Sequence, residues 1–192
     1  MHNINLPNFY HFIDNLNINN ILHLNKKVAL IYRNYQANCD TKDLIKFRNF
    51  CKVSKRTFLI ANKINLAFNL KLNGVYLPSF NKKIILKKYT SSKKFIIIGS
   101  AHNLKEIRVK EKQNVMQIFL SPLFKDTKFN KQLGIIKFNN LRKNTKKPVI
   151  ALGGIKADKI RLLTKMKING FAAINFFKTK ETKKTKLNYK WT

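Results

Sequence analysis

Eight short apolar runs, each followed by a longer polar or amphipathic stretch, constrain this chain more than any other feature. They fall at residues 9–13, 28–32, 57–61, 74–77, 95–99, 115–120, 148–152 and 170–176. Helix-like segments lie between them at 18–24, 41–53, 63–72, 82–87, 104–112, 133–142 and 158–166. Strands that alternate with helices pair in parallel through right-handed crossovers. The runs are almost continuously apolar, as expected of strands covered by helices and buried on both faces. Asn103, with Glu106 three residues on, forms a capping-box start for the segment at 104–112.

Eight such units predict a closed α/β barrel, a compact (β/α)8 TIM barrel over residues 1–177 with a lysine-rich tail over 178–192. At 192/8 = 24 residues per unit it is smaller than the usual barrel of about 250 residues. An open flavodoxin-like or Rossmann-like sheet is the alternative. Neither GxGxxG nor GxxxxGK[ST] occurs in support of it.

The charge is extreme: 40 Lys and Arg against 8 Asp and Glu, formally +32. Such a value raises nucleic acid or an anionic surface as a partner. The cationic residues are nevertheless spread along the whole chain, interleaved with apolar ones, as on solvated faces of amphipathic elements. No RNP-like aromatic motif, helix-turn-helix signature or zinc finger accompanies them. Non-specific, salt-sensitive polyanion binding is expected in any case, a basic nucleic-acid-binding protein being the lesser alternative. No apolar run is long enough to span a bilayer, and Met1–Asn5 has neither a basic start nor an apolar signal core. Cys39 and Cys51 lack metal or redox spacing, so a cytoplasmic setting is expected, a disulfide being the weaker reading.

In a barrel of this kind chemistry sits on the loops after the strands. That rule selects Asp14, Arg33, Asn62, Ser79, Asn81, Ser100, His102, residues 126–128, Gly153, Gly154 and Asn175. Gly153-Gly154 allow close approach to backbone N–H groups ahead of a helix N-terminus, which suits an anion. A plain tight turn is the alternative. His102 can act as acid or base near neutral pH, or can simply cap or pack. His2, His11 and His23 have no ligand spacing, so no metal site is expected on them.

Ile97-Ile98-Gly99-Ser100-Ala101-His102, at the end of the fifth run, resembles the GxSAH of the thiamine-phosphate synthase/TenI family, with Gly99 one place later than the family glycine. Ser121-Pro122-Leu123-Phe124 followed by Thr127-Lys128 resembles its loop after strand 6, and Pro148-Val149-Ile150-Ala151-Leu152-Gly153-Gly154-Ile155 resembles PVVAIGGI. Ala29 to Arg33, Gly74 to Ser79 and Gly170 to Ile174 resemble strands 2, 4 and 8.

The resemblance implies a protein of thiamine biosynthesis. Synthases of the family join pyrimidine methyl pyrophosphate to a thiazole phosphate, and TenI proteins isomerise a thiazole phosphate carboxylate. Gly153, Gly154, Ile174 and Asn175 would surround the thiazole phosphate. Arg33, Ser100, Thr127 and Lys128 would lie near the pyrophosphate, and His102 at the TenI acid–base position. Two aspartates that hold Mg2+ in the synthases are replaced by Asn62 and Asn81, which weakens a hard-cation site. Of the strand 2 motif QxREK only Arg33 survives, with Ile31, Asn34 and Tyr35 at its other places. Pro78-Ser79 stands for the synthase GQ, as in TenI-type members. The resemblance thus leaves a divergent synthase, a TenI-like isomerase and a non-catalytic phosphate-binding barrel open.

Overall fold

The computed structural model describes residues 5–35, 40–92, 94–125 and 132–178. Eight parallel strands close into a barrel in chain order: β1 (Phe9–Ile13), β2 (Val28–Tyr32), β3 (Phe58–Ala61), β4 (Gly74–Leu77), β5 (Ile96–Ala101), β6 (Gln117–Leu120), β7 (Val149–Leu152) and β8 (Gly170–Ala173). The seam is β1 against β8, with Phe9 opposite Phe171 and His11 opposite Ala173. Helices α1 (Thr41–Val53), α2 (Ile64–Asn69), α3 (Lys87–Thr90), α4 (Leu104–Lys112), α5 (Gly134–Lys143) and α6 (Ile160–Lys165) lie in the crossovers.

Strand side chains alternate between two buried environments. One set fills the barrel: Tyr10, Phe12, Ile31, Leu59, Tyr76, Ile98, Phe119 and Ile150 pack with the small Ala29, Ala61 and Ala172. Large rings beside alanines let the layers interdigitate, so the interior is a packed core. Phe119 is its hub, with ring centroids 4.8 Å from Tyr10 and 5.6 Å from Tyr76. At the base the Tyr10 hydroxyl donates to Gln117 Oε1, and Gln117 Nε2 donates to the Pro7 carbonyl at 3.1 Å. The other set packs outward under the helices, as where Leu44, Phe47 and Cys51 of α1 meet the sheet. Cys51 is a free, buried thiol whose pKa burial raises to about 12.

Helix starts follow local chemistry. Asp40 Oδ1 accepts the Lys42 N–H at 2.9 Å to open α1, and Asn103 Oδ1 accepts the Glu106 N–H at 2.9 Å to open α4. Three expected helices differ. Residues 18–24 form only a 3-10 turn at Ile18–Asn20, capped by the Asn17 side chain on the Asn19 N–H, and continue in tight turns with Ile21 N–H on the Ile18 carbonyl at 3.0 Å and Leu24 N–H on the Ile21 carbonyl at 3.1 Å. Residues 82–86 are not helical, and the helix begins only at Lys87. The carbonyls of Pro78, Asn81 and Lys83 are taken by Lys110 and Gln113. The segment at 158–166 starts as a 3-10 turn, Ala157–Lys159, before α6. Strand β5 runs two residues past its expected end, which puts Ser100 inside the strand. β8 stops at Ala173, and Phe176–Lys178 forms a 3-10 turn. The tail after Lys178 lies outside the described residues. Among the described residues, no helix is long and apolar enough to cross a membrane.

Candidate functional site at the barrel mouth

The ends of β1, β2, β4 and β5 build one corner of the mouth. Arg33 follows β2 and donates its backbone N–H to the Ile13 carbonyl at 2.8 Å. Its guanidinium carbon lies 4.7 Å from the Phe12 ring centroid, a cation–π seat that holds the charge over the barrel. Beneath it Ser100 is buried and hydrogen-bonded to the Tyr76 hydroxyl. Burial pushes the Tyr76 phenol up to about 12, the Ser100 bond working the other way, so the hydroxyl stays a neutral donor at physiological pH.

The neighbouring corner joins the two asparagines. Asn62 follows β3 with φ of 61°, a left-handed conformation that asparagine tolerates. Its Oδ1 accepts from Asn81 Nδ2 at 2.6 Å. Asn81 Oδ1 in turn accepts the Lys83 N–H at 3.0 Å. Two carboxylates at this distance would repel without a cation, whereas two amides bridge directly. Mg2+ sites in proteins are usually anchored by one or two carboxylates beside waters and substrate phosphates, and both positions here are neutral amides bonded to each other. The residues present do not fit that metal.

His102 stands on the far side of β5. Its Nδ1 lies 2.7 Å from the Ser121 carbonyl and 3.2 Å from Ser121 Oγ. A carbonyl can only accept, so Nδ1 carries the proton and Nε2 is left as the basic nitrogen. Glu106 steadies the same turn: its Oε2 accepts the His102 N–H at 2.7 Å and its Oε1 accepts from Asn103 at 2.9 Å.

The loops after β6, β7 and β8 close the ring. Gly153 and Gly154 have φ of 96° and 65°. A Cβ on Gly153 would lie 2.7 Å from Pro122 Cα, and one on Gly154 2.7 Å from the Phe124 and Lys125 carbonyl oxygens. Both positions therefore demand glycine for conformation and for space. The Phe124 N–H donates to the Gly153 carbonyl at 3.2 Å, joining the two loops. Beside them Ile174 packs on the barrel interior, and exposed Asn175 accepts the Lys178 N–H at 2.9 Å. The 3-10 turn after Gly154 offers less of an aligned helix N-terminus than a regular helix would. Thr127 and Lys128 lie outside the described residues.

The family's sequence model, described as thiamine monophosphate synthase, matches residues 18–177. The chain belongs to that family. A protein of Aquifex aeolicus named thiamine-phosphate synthase 2 is 31% identical over 134 residues, which cover 68% of this chain and 70% of that protein. A thiamine-phosphate synthase of Prochlorococcus marinus is 31% identical over 130 residues, 66% of this chain but 37% of that protein. The match therefore takes in well under half of that second relative's length. A solved thiamine phosphate pyrophosphorylase from Pyrococcus furiosus has the same fold, with a TM-score of 0.64 at 20% identity over 82% of this chain and 77% of that one.

Several mouth residues of this family member escaped sequence reasoning. Ser121 was visible within the Ser-Pro-Leu-Phe motif, yet only the structure pairs its carbonyl with His102. Tyr76 and Phe12 read as ordinary strand residues. Lys110 is one lysine among many, and Gly99, displaced from the family glycine, was the one hint of it.

Proposed function

We propose that this protein is a metal-independent, TenI-like isomerase acting on a thiazole phosphate, with His102 as its acid–base group. The observation that carries the reading is the Nδ1 contact of His102 with the Ser121 carbonyl. It orients the ring and leaves one basic nitrogen, as a proton shuttle requires. In the isomerisation Nε2 takes a proton from one position of the substrate and returns it to another. The proton balance is zero and no metal is needed. Gly153, Gly154, Ile174 and Asn175 are proposed to receive the phosphate through backbone N–H groups and the Asn175 amide. The Asn62–Asn81 bridge supports the same reading, because it removes the carboxylates that a metal-dependent reaction would use.

One observation favours a second reading, a divergent synthase. Arg33, seated over Phe12 beside Ser100 and Tyr76, suits a pyrophosphate leaving group, with Thr127 and Lys128 as further candidates. The test is incubation of the protein with a thiazole phosphate carboxylate alone, and with pyrimidine methyl pyrophosphate plus thiazole phosphate, each with Mg2+ and with chelator. Isomerisation that survives chelation supports the proposal. Thiamine phosphate formation replaces it with the synthase. Binding without turnover in either assay identifies a barrel that has kept the ligand and lost the chemistry.

A further inference from the structure

Lys110 has 0% relative exposure, and among the described residues it is the one buried lysine. All three of its N–H donors are used: Nζ lies 2.8 Å from the Pro78 carbonyl, 2.8 Å from the Asn81 carbonyl and 2.9 Å from Gln113 Oε1. No carboxylate forms an ion pair with it among the described residues. An ammonium buried without a counter-ion is costly, and a methionine would fill the same space. Its presence therefore points to a requirement for the cation itself.

Two further features are built around it. A Cβ on Gly99 would lie 2.7 Å from Lys110 Cδ, so the glycine at this place on β5 opens the channel through which the lysine stem passes. Gln113, one turn along, donates to the Lys83 carbonyl at 2.8 Å and to the Asn81 carbonyl at 3.1 Å. Lysine and glutamine together grip the strap that runs from Pro78 to Lys83, which turns at Ser79–Phe80 where the Asn81 N–H donates to the Pro78 carbonyl at 3.0 Å. That strap carries Asn81, which bridges to Asn62, and Phe80, whose ring meets Tyr35 edge-on with centroids 5.9 Å apart.

We infer that Lys110 is a positioning residue, an internal cation that fixes the Pro78–Lys83 strap and through it the Asn81 and Phe80 side of the mouth. It supplies, from within the chain, a fixed positive charge behind two amides that cannot hold a metal. Burial draws its pKa down to about 8, opposed by the Glu106 carboxylate, while three oxygen acceptors favour the charged form. The lysine never reaches a ligand; it acts through the strap.

The test compares wild type with Lys110→Met by amide hydrogen exchange, and by binding of inorganic pyrophosphate and of a thiazole phosphate. The inference deepens the reading of this mouth as a ligand site, but the exchange measurement stands without that reading. Exchange of strap amides should rise by about tenfold or more while the β1, β2 and β8 amides hold. Pyrophosphate affinity should fall by about tenfold, with thiazole phosphate affinity, on the Gly153 side, within about twofold. Unchanged strap exchange in a folded variant overturns the inference. If the methionine variant does not fold, Lys110→Ala is measured with and without n-propylammonium. Recovery of strap protection by the amine, and not by n-propanol, is expected; equal recovery by both refutes a role for the charge. Should neither thiazole substrate react with wild type, the isomerase proposal fails while the exchange comparison still decides on Lys110.

Discussion

Acid should loosen this barrel at its β1–β8 seam through one histidine. His11 is 3% exposed, with Nδ1 3.3 Å from the Ala173 carbonyl and its ring centroid 5.4 Å from that of Phe177. Burial is the main cause that lowers its pKa from 6.5 to about 4; the Ala173 hydrogen bond opposes this, Lys178 and His23 add to it, and Asp14 works against it. Between those two values the unfolded chain binds a proton that the native chain refuses. The stabilisation is therefore complete above pH 6.5 and is lost as pH falls towards 4. A shift of that size corresponds to about 3 kcal/mol overall, of which about 2.5 kcal/mol is lost between pH 7.5 and 4.5. The assay is urea denaturation at both pH values for wild type and His11→Phe, which keeps the ring contact and removes the titration. The variant loses the Ala173 bond at every pH, so its curve is displaced, but its fall from pH 7.5 to 4.5 should be shallower by about that amount. Parallel curves would refute the reasoning, because carboxylates elsewhere titrate equally in both proteins.

Three further outcomes are expected. His102→Gln should lower turnover by about 10²–10⁴-fold with thiazole phosphate affinity, read by calorimetry, nearly unchanged; a comparable loss of affinity would make His102 a binding residue instead. Gly154→Ala should cost about 1–3 kcal/mol in a thermal or urea melt, from its left-handed backbone and its contact with the Phe124 and Lys125 carbonyls, and should weaken thiazole phosphate binding. Asn62→Asp with Asn81→Asp should melt below wild type in chelator and recover on adding Mg2+, whereas the wild-type melt should not respond to Mg2+; a Mg2+ response in wild type would show that the amides do hold the ion.

The barrel was legible because its signal is distributed. Eight apolar runs at regular spacing survive errors at any one boundary, and the shift of β5 to Ile96–Ala101 altered no pairing. The mouth was legible only where a residue's position after a strand was enough to select it, as for Arg33, Asn62, His102 and Gly153. Contacts between distant loops were not. Nothing local says that Asn81 reaches Asn62 or that the Ser121 carbonyl meets His102. The segment at 82–87 was expected to be helical, yet its helix starts only at Lys87; the Asn81 and Lys83 carbonyls are bound by Lys110 and Gln113, which lie about 30 residues further along. Lysine in this chain carries almost no positional information, since so many occur on solvated faces. The buried one looked like the rest.

The layer of rings inside the barrel also bears on traffic. Tyr10, Phe12, Tyr76 and Phe119 fill the interior down to the Tyr10–Gln117 pair, so the centre of the molecule is a floor rather than a passage. Whatever enters the mouth leaves by the same opening. If the proposed isomerisation takes place here, bound product must clear that one opening before fresh substrate enters, and inhibition by product is expected to be competitive.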